Sequence, residues 1–410
     1  MKKTTQRPSP KAMTLMLGAC AAALVAGIVS SPAPAFQASL QGLNLWWKIV
    51  FPGLLPFLVL SEILIAYGWV SALGAFLEPL MKKLFRLPGT GGWVMAMGLT
   101  TGFPGGAQAV QQLHAQGSLQ AEEAGKLAAL SHFCNPVMIL VVVATGLMHD
   151  PALGYGLIAV HWIAGILAYL TVHRRVRTKG AAPASDKPRQ QRLEGKLAPL
   201  PARVLQAAEE ARAKDGRSFG RLLGDSVTHA VQVLMMIGGY IIIFSVVIQI
   251  AGRVTTARLP IPDYALSSFF EVHLGARDIS AAAFASGGLQ WSVLSALLGF
   301  SGISALLQSM SLIRKTGAPL MPMVWTRILH GAYAFALTWL TWAPLAALLG
   351  RIHPVYSESG PFSGSRGPIE DLWMLMPQVL KWQGLLLASI LCALIVLLIV
   401  VPRRAKTVRR

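Results

Sequence analysis

The residues best suited to chemistry in this chain sit where apolar stretches are interrupted. Gly102-Phe103-Pro104-Gly105-Gly106 lies inside the apolar segment 91–113, and Gly299-Phe300-Ser301-Gly302-Ile303 lies inside 280–313. Proline removes a backbone donor and clashes with the preceding turn, and glycine is a poor helix former. Hydrocarbon tolerates the resulting irregular backbone only where protein or a watery cavity covers it. Matched breaks in two apolar halves are the sequence mark of a transporter's binding site. Past each break, near Ala107 and Ser304, a second half-helix would begin. Its free N–H groups and partial positive charge suit a carboxylate. Thr101, Gly102, Gly105, Gly106 and Gln108 at the first break, and Gly299, Ser301, Gly302 and Ser304 at the second, are therefore candidate substrate residues.

Two further features join them. Asn135-Pro136 interrupts the apolar run 127–148. Pro136 frees a carbonyl near Ser131 and His132, so Ser131, His132 and Asn135 are candidates for a coupling ion, Na+ or H+, and Asn135 for substrate as well. A plain proline kink is the alternative. Arg327 and His330 lie inside the run 320–349. A deep arginine is costly and faces a cavity or a partner, and it can hold a carboxylate at two points. Arg327 is expected to meet an anionic substrate with His330 beside it. Otherwise it pairs with Glu62, Glu78 or Glu271, or extends to the outer surface. His132 and His330 relay protons or simply bond between helices. Glu78 and Glu271 each end a Phe-x-Glu and are expected to cap or pair at the interface, in equivalent places of the two halves.

A hydrolytic alternative exists. Gly299-Phe300-Ser301-Gly302 fits the short Gly-x-Ser-Gly of intramembrane serine proteases, with His330 as base to Ser301. The first copy carries Pro104 where a nucleophile would stand, so a duplicated fold device explains both copies and a protease only one. Gly89-Thr90-Gly91-Gly92 is not followed by the Lys-Ser/Thr of a phosphate loop, and Cys20, Cys134 and Cys392 show no metal spacing. The chain reads as no enzyme and needs no cofactor.

The elements that must position these residues belong to a membrane protein. Apolar residues make up 54% of the chain and charged residues 13%, against about 25% charged in soluble domains. The net charge of +19 sits in tails and loops between apolar runs. That is the positive-inside pattern rather than a nucleic-acid surface. The reading is an all-α polytopic protein, an inverted-topology repeat with two re-entrant helical hairpins and broken transmembrane helices. Residues 1–41 carry a basic tail and a first span, with Ala33-Pro34-Ala35 resembling a signal-peptidase site, although a retained helix is favoured. Residues 42–173 form a first repeat: a span at 45–66, an amphipathic helix at 70–84, the hairpin 91–113 and two spans. Residues 174–226 are a basic cytoplasmic linker, helical near 203–214. Residues 227–401 repeat the plan, with the hairpin at 280–313 and a last span at 379–401, before the tail 402–410. An N-terminus inside places the tail, the Lys82–Arg86 segment and the linker in the cytoplasm, and leaves the basic C-terminus outside, against the charge rule.

Gly42-Leu43-Asn44-Leu45-Trp46-Trp47, Phe51-Pro52-Gly53-Leu54-Leu55-Pro56-Phe57, Leu77-Glu78-Pro79-Leu80-Met81, Gly102-Phe103-Pro104-Gly105-Gly106-Ala107 and Asn135-Pro136 together resemble the sporulation integral membrane protein family of the YlbJ type. The resemblance is dense over 42–169 and thins beyond. It implies a nucleoside-recognition or gate domain similar to the core of concentrative nucleoside transporters. It also implies a role in endospore formation, moving dipicolinic acid across the outer forespore membrane. Nucleosides or another small solute are the alternative cargo, and a non-transporting spore-envelope assembly protein the alternative role. A homo-oligomer is compatible with the resemblance.

Overall fold

The computed structural model describes residues 10–173, 199–255, 261–350 and 381. Among them every regular element is a helix. Four segments among the described residues are long and apolar enough to cross a membrane: Pro32–Ala66, Pro151–His173, Phe219–Arg253 and Gly287–Arg314. The expected span 379–401, the tail 402–410 and most of the linker lie outside the described residues.

Helix α1 (Pro10–Ser30) turns at Ser31 into α2 (Pro32–Leu45), which passes through a π-helical turn at Trp46–Val50 into α3 (Phe51–Ala66). This span therefore begins at Pro32, a favourable first helical position for proline, and not at residue 45. After the left-handed Gly68 (φ +81°), α4 (Trp69–Leu80) buries Leu77 and Leu80 and leaves Lys82, Lys83 and Arg86 exposed beyond its end. Glu78 on α4 pairs with Lys82 and with Arg203 of α10 (Leu200–Asp215), the helix inside the basic linker. Arg212 of the same helix lies over the Tyr67 ring at 4.6 Å.

The first break falls where the sequence places it. Helices α5 (Gly91–Thr100) and α6 (Gly105–Ala115) pack back on each other around Gly102, whose φ of +70° favours glycine. Helix α7 (Ala121–Ser131) then stops, residues 132–135 leave the helix altogether, and the wide π-type helix α8 (Met138–Leu147) follows. This is more than a proline kink. Helix α9 (Pro151–His173) completes the half.

The second half departs from the expected order. It contains α11 (Phe219–Thr255), α12 (Asp263–Phe270), α13 (Val272–Ala281), α14 (Gly287–Phe300), α15 (Gly302–Arg314) and α16 (Met321–Gly350). The expected hairpin over 280–313 does not form there. Ser301 and Gly302 both take left-handed φ (72° and 76°), and α15 swings away from α14 to pack on α6, α7 and α12. The pair that folds back on itself is α12–α13, bent at Glu271, whose extended backbone (φ −147°) starts α13. Helix α13 escaped the sequence reading because its ten residues carry Arg277 and Asp278 and look like a loop. The sequence equivalence of Glu78 and Glu271 also fails, since Glu78 lies mid-helix at the surface and Glu271 at a buried bend.

Small residues let α9, α14 and α16 approach closely. A Cβ on Gly299 would lie 2.9 Å from the His330 carbonyl, and one on Gly165 2.9 Å from the His330 ring. Ser131, at the end of α7, is held between Gly98 and Gly106. A Cβ on Gly98 would stand 2.8 Å from Ser131 Cα, and one on Gly106 2.8 Å from Ser131 O. Gly98→Val should lower stability by about 1–3 kcal/mol through overpacking, read as a drop in melting temperature in detergent. Gly220→Ala, where a Cβ meets nothing within 4 Å, should leave it unchanged.

Candidate functional site

A helix that ends inside a protein leaves its last carbonyls without intrahelical donors. At the end of α7 those donors come from across the structure. Arg327 on α16 is 1% exposed. Its Nη2 donates to Ala129 O at 2.9 Å, and its Nη1 donates to His132 O. The same Nη1 lies 2.9 Å from His330 Nδ1. Both expected alternatives for Arg327 are thereby overturned: its partners are carbonyls rather than Glu62, Glu78 or Glu271, and it does not reach the surface.

The hydrogen bonds fix the imidazole tautomers. His330 Nε2 lies 2.7 Å from His161 O. A carbonyl only accepts, so Nε2 carries the proton and Nδ1 accepts from Arg327. His161 Nε2 accepts from the Cys134 N–H at 3.0 Å, so that ring holds its proton on Nδ1. Ser301 Oγ donates to Phe300 O at 2.5 Å, which makes His132 Nε2, 2.9 Å away, the donor to Ser301. The proposed Ser301–His330 pair is therefore not formed. The imidazole that does reach Ser301 gives a proton to it rather than taking one. The Phe103 ring stacks on His132 (centroids 4.9 Å apart, 17° between planes), and the Phe103 N–H donates to Phe133 O at 2.8 Å.

In front of this network lies a small cavity of about 40 Å³ where the breaks of both halves meet. Phe103 and Pro104 come from the α5–α6 turn, Cys134 and Asn135 from the α7–α8 break, Glu271 and His273 from the α12–α13 bend, and Ser304 and Gln308 from α15. Such a volume holds roughly one water. Asn135 Oδ1 accepts from the Met138 N–H at 2.6 Å and so caps α8. Glu271, 2% exposed, caps α13 by accepting from the Leu274 N–H at 2.8 Å, and its other oxygen lies 2.7 Å from His273 Nδ1. It caps and pairs as expected, but in the interior.

Of the residues singled out from sequence, Asn135, Glu271 and Ser304 line the cavity. Gly102 backs directly on Asn135 N and Gly302 on Glu271 N, at 2.6 and 3.2 Å from a notional Cβ. Thr101 Oγ1 donates to Met97 O at 2.8 Å and closes α5, with Gly105 seated against it. Ser131, His132, Gly299, Ser301, Arg327 and His330 stand outside the lining, in the packed wall behind it. Gln108 is exposed on α6 and does not reach the cavity. His161, His273, Phe103, Tyr240 and Gln308 were not anticipated. The usable signal for His161 was an imidazole alone in an apolar run, and for His273 an acid two residues away.

Removing the Arg327 side chain strands three buried acceptors, the Ala129 and His132 carbonyls and His330 Nδ1, each worth about 1–3 kcal/mol. Arg327→Ala should lower the melting temperature in detergent well beyond an ordinary surface change. Arg327→Lys, with one point donor in place of a fork, should fall between it and the wild type.

Comparison with known proteins adds the following. A family model described as nucleoside recognition (Gate) matches residues 47–148, which include the first break and the α7–α8 break. The sporulation integral membrane protein YlbJ of Bacillus subtilis (strain 168) is 36% identical over 356 residues, covering 82% of this chain and 84% of that protein. No solved structure matches the chain.

Proposed function

This multi-pass membrane protein belongs to the family of the sporulation integral membrane protein YlbJ, and from that premise we propose that it is a transporter of a small anionic metabolite, dipicolinic acid being the best-supported cargo, across the outer forespore membrane during endospore formation. The observation that carries the reading is the meeting of chain breaks from both halves around one cavity. On this reading α5–α6 and α12–α13 are the two hairpins that enter the membrane partway and return. Helices α7–α8 and α14–α15 are then the broken spans, and the halves are related by inverted topology.

The polarity of the helix ends supports an anion. The cavity is met by Pro104, which starts α6, and by Ser304 in the first turn of α15. Both are positive ends. The negative end of α7 is turned away and covered by the Arg327 guanidinium. Arg327 then serves the substrate indirectly, by holding the α7–α8 break in shape, rather than by clamping it. A ring-sized dicarboxylate exceeds a space of about 40 Å³, so the lining elements must separate to admit it. The Gate description keeps nucleosides as the second cargo.

Purified protein in proteoliposomes provides the test. Saturable uptake of dipicolinate, with no uptake of nucleosides, is expected. Ser304→Leu, which crowds the first turn of α15, should cut uptake at least about tenfold, a loss of roughly 1.4 kcal/mol of binding. Gln108→Leu, on the exposed face of α6, should leave uptake intact, as should Ser301→Ala, whose full activity would remove the protease alternative. Uptake of nucleosides and not of dipicolinate would replace the cargo. Uptake of neither would overturn transport.

A further inference from the structure

We propose that Glu271 and His273 form the proton-binding site that couples transport to a pH gradient, so that one proton enters with each anion bound. The inference rests on the transport reading above. Its basis is a buried acid–imidazole pair at a cavity wall. Glu271 is 2% exposed and His273 7% exposed, their side chains meet at 2.7 Å, and both line the central cavity. A cap on α13 needs one acceptor oxygen, and Glu271 Oε2 provides it. The second oxygen, the imidazole and their burial are not required by capping. They place an ionisable pair where substrate would sit.

The chemistry of the pair determines where the proton goes. A carboxylate only accepts, so His273 Nδ1 keeps its hydrogen on the bond to Glu271. The proton that arrives and leaves is carried on Nε2. With it the pair is neutral, and without it the pair bears one negative charge. An anion in the cavity is repelled by the second state and tolerated by the first. Proton and anion therefore stabilise each other's binding, and the coupling is reciprocal. Burial strengthens it, because charges in a low-dielectric interior interact far more than in water.

Few other charges face the pair. Cys134 from the α7–α8 break and Tyr240 from α11 share the cavity. On α13 itself, Arg277 is bound to Asp278, which also accepts from Ser267 of α12. The titratable residues of α12 are Asp263 and Tyr264, and Asp263 lines a separate cavity with Arg253, Arg277 and Asp278. Helices α8 and α14 contribute no titratable side chain, and α15 only Arg314 at its far end. The proton's partner within the wall is thus Glu271.

The test uses full-length protein in proteoliposomes, with dipicolinate as the probe. Two modes are compared: exchange of labelled for unlabelled dipicolinate without a gradient, and net uptake driven by acid outside against neutral inside. A pH dye trapped in the vesicles reports proton arrival. Wild type should exchange, should accumulate substrate only with the acid-outside gradient, and should acidify the lumen as substrate enters. Wild-type exchange should rise as the pH falls on both sides, whereas Glu271→Gln, which keeps an oxygen for Leu274, and His273→Gln should exchange at a rate that no longer depends on pH. Their gradient-driven uptake should fall at least about tenfold, the loss of one coupled proton across one pH unit. Wild-type exchange with no response to pH, or accumulation driven by sodium instead, would overturn this inference and leave the transporter reading standing. Loss of exchange in both variants at wild-type melting temperature would make the pair a substrate site and overturn it equally. No exchange in wild type would overturn both readings together.

Discussion

The contact on which the rest of this structure depends is the one between the Arg327 guanidinium and the open end of α7. A helix that stops halfway through a protein exposes carbonyls that water would normally satisfy. In a packed interior that option is closed, and each stranded group costs about 1–3 kcal/mol. Arg327 answers two of them with two arms of its fork, donating to Ala129 O and His132 O. A lysine would offer a single point charge, and a neutral amide would leave the negative end of the helix dipole unbalanced. The arginine needs no carboxylate because the helix end supplies the negative partial charge. The break in α7, the turn at residues 132–135 and the stacking of Phe103 on His132 all presuppose that α16 stands where Arg327 can reach.

That arrangement also explains the histidines. His330 accepts from Arg327 and donates to the His161 carbonyl, while His161 accepts from the Cys134 N–H. Each ring is held by a donor on one side or a carbonyl on the other, so each acts as a neutral bridge between an arginine and broken backbone. They brace the wall. Glu271 and His273 meet at a different bend, that between α12 and α13, and line the cavity directly.

How much of this was legible in the sequence depends on what kind of signal each residue leaves. The breaks at Gly102-Phe103-Pro104 and Asn135-Pro136 were legible because glycine and proline act locally on the backbone. The deep placement of Arg327 was legible because an arginine in an apolar run must be explained. Its partners were not, since they are carbonyls nearly two hundred positions away and carry no residue-type signature. The second half was misread for a related reason. Ser301-Gly302 imitates the first break in wording, yet the fold-back occurs at Glu271. There the interruption is made by an extended glutamate capping the next helix, with no glycine or proline to announce it. Gln108 shows the limit of proximity along the chain: it sits in the first turn after the break, but its position around α6 turns it outward. Of the fold, the helical class and the membrane character were legible from apolar run length, while the ends were not. Pro32 and Phe219 start their helices well before the apolar stretches on which the spans were drawn.

Two helix starts and one carboxylate share the cavity wall: Pro104 of α6, Ser304 of α15 and Glu271. Of the two buried charges among the described residues, Glu271 lines the cavity, while Arg327 stands behind the wall with its guanidinium on the end of α7. The partial positive charge of the α6 and α15 starts has the sign that offsets the Glu271 carboxylate. Phe103, Pro104 and Tyr240 present flat or rigid faces around the narrow space between them.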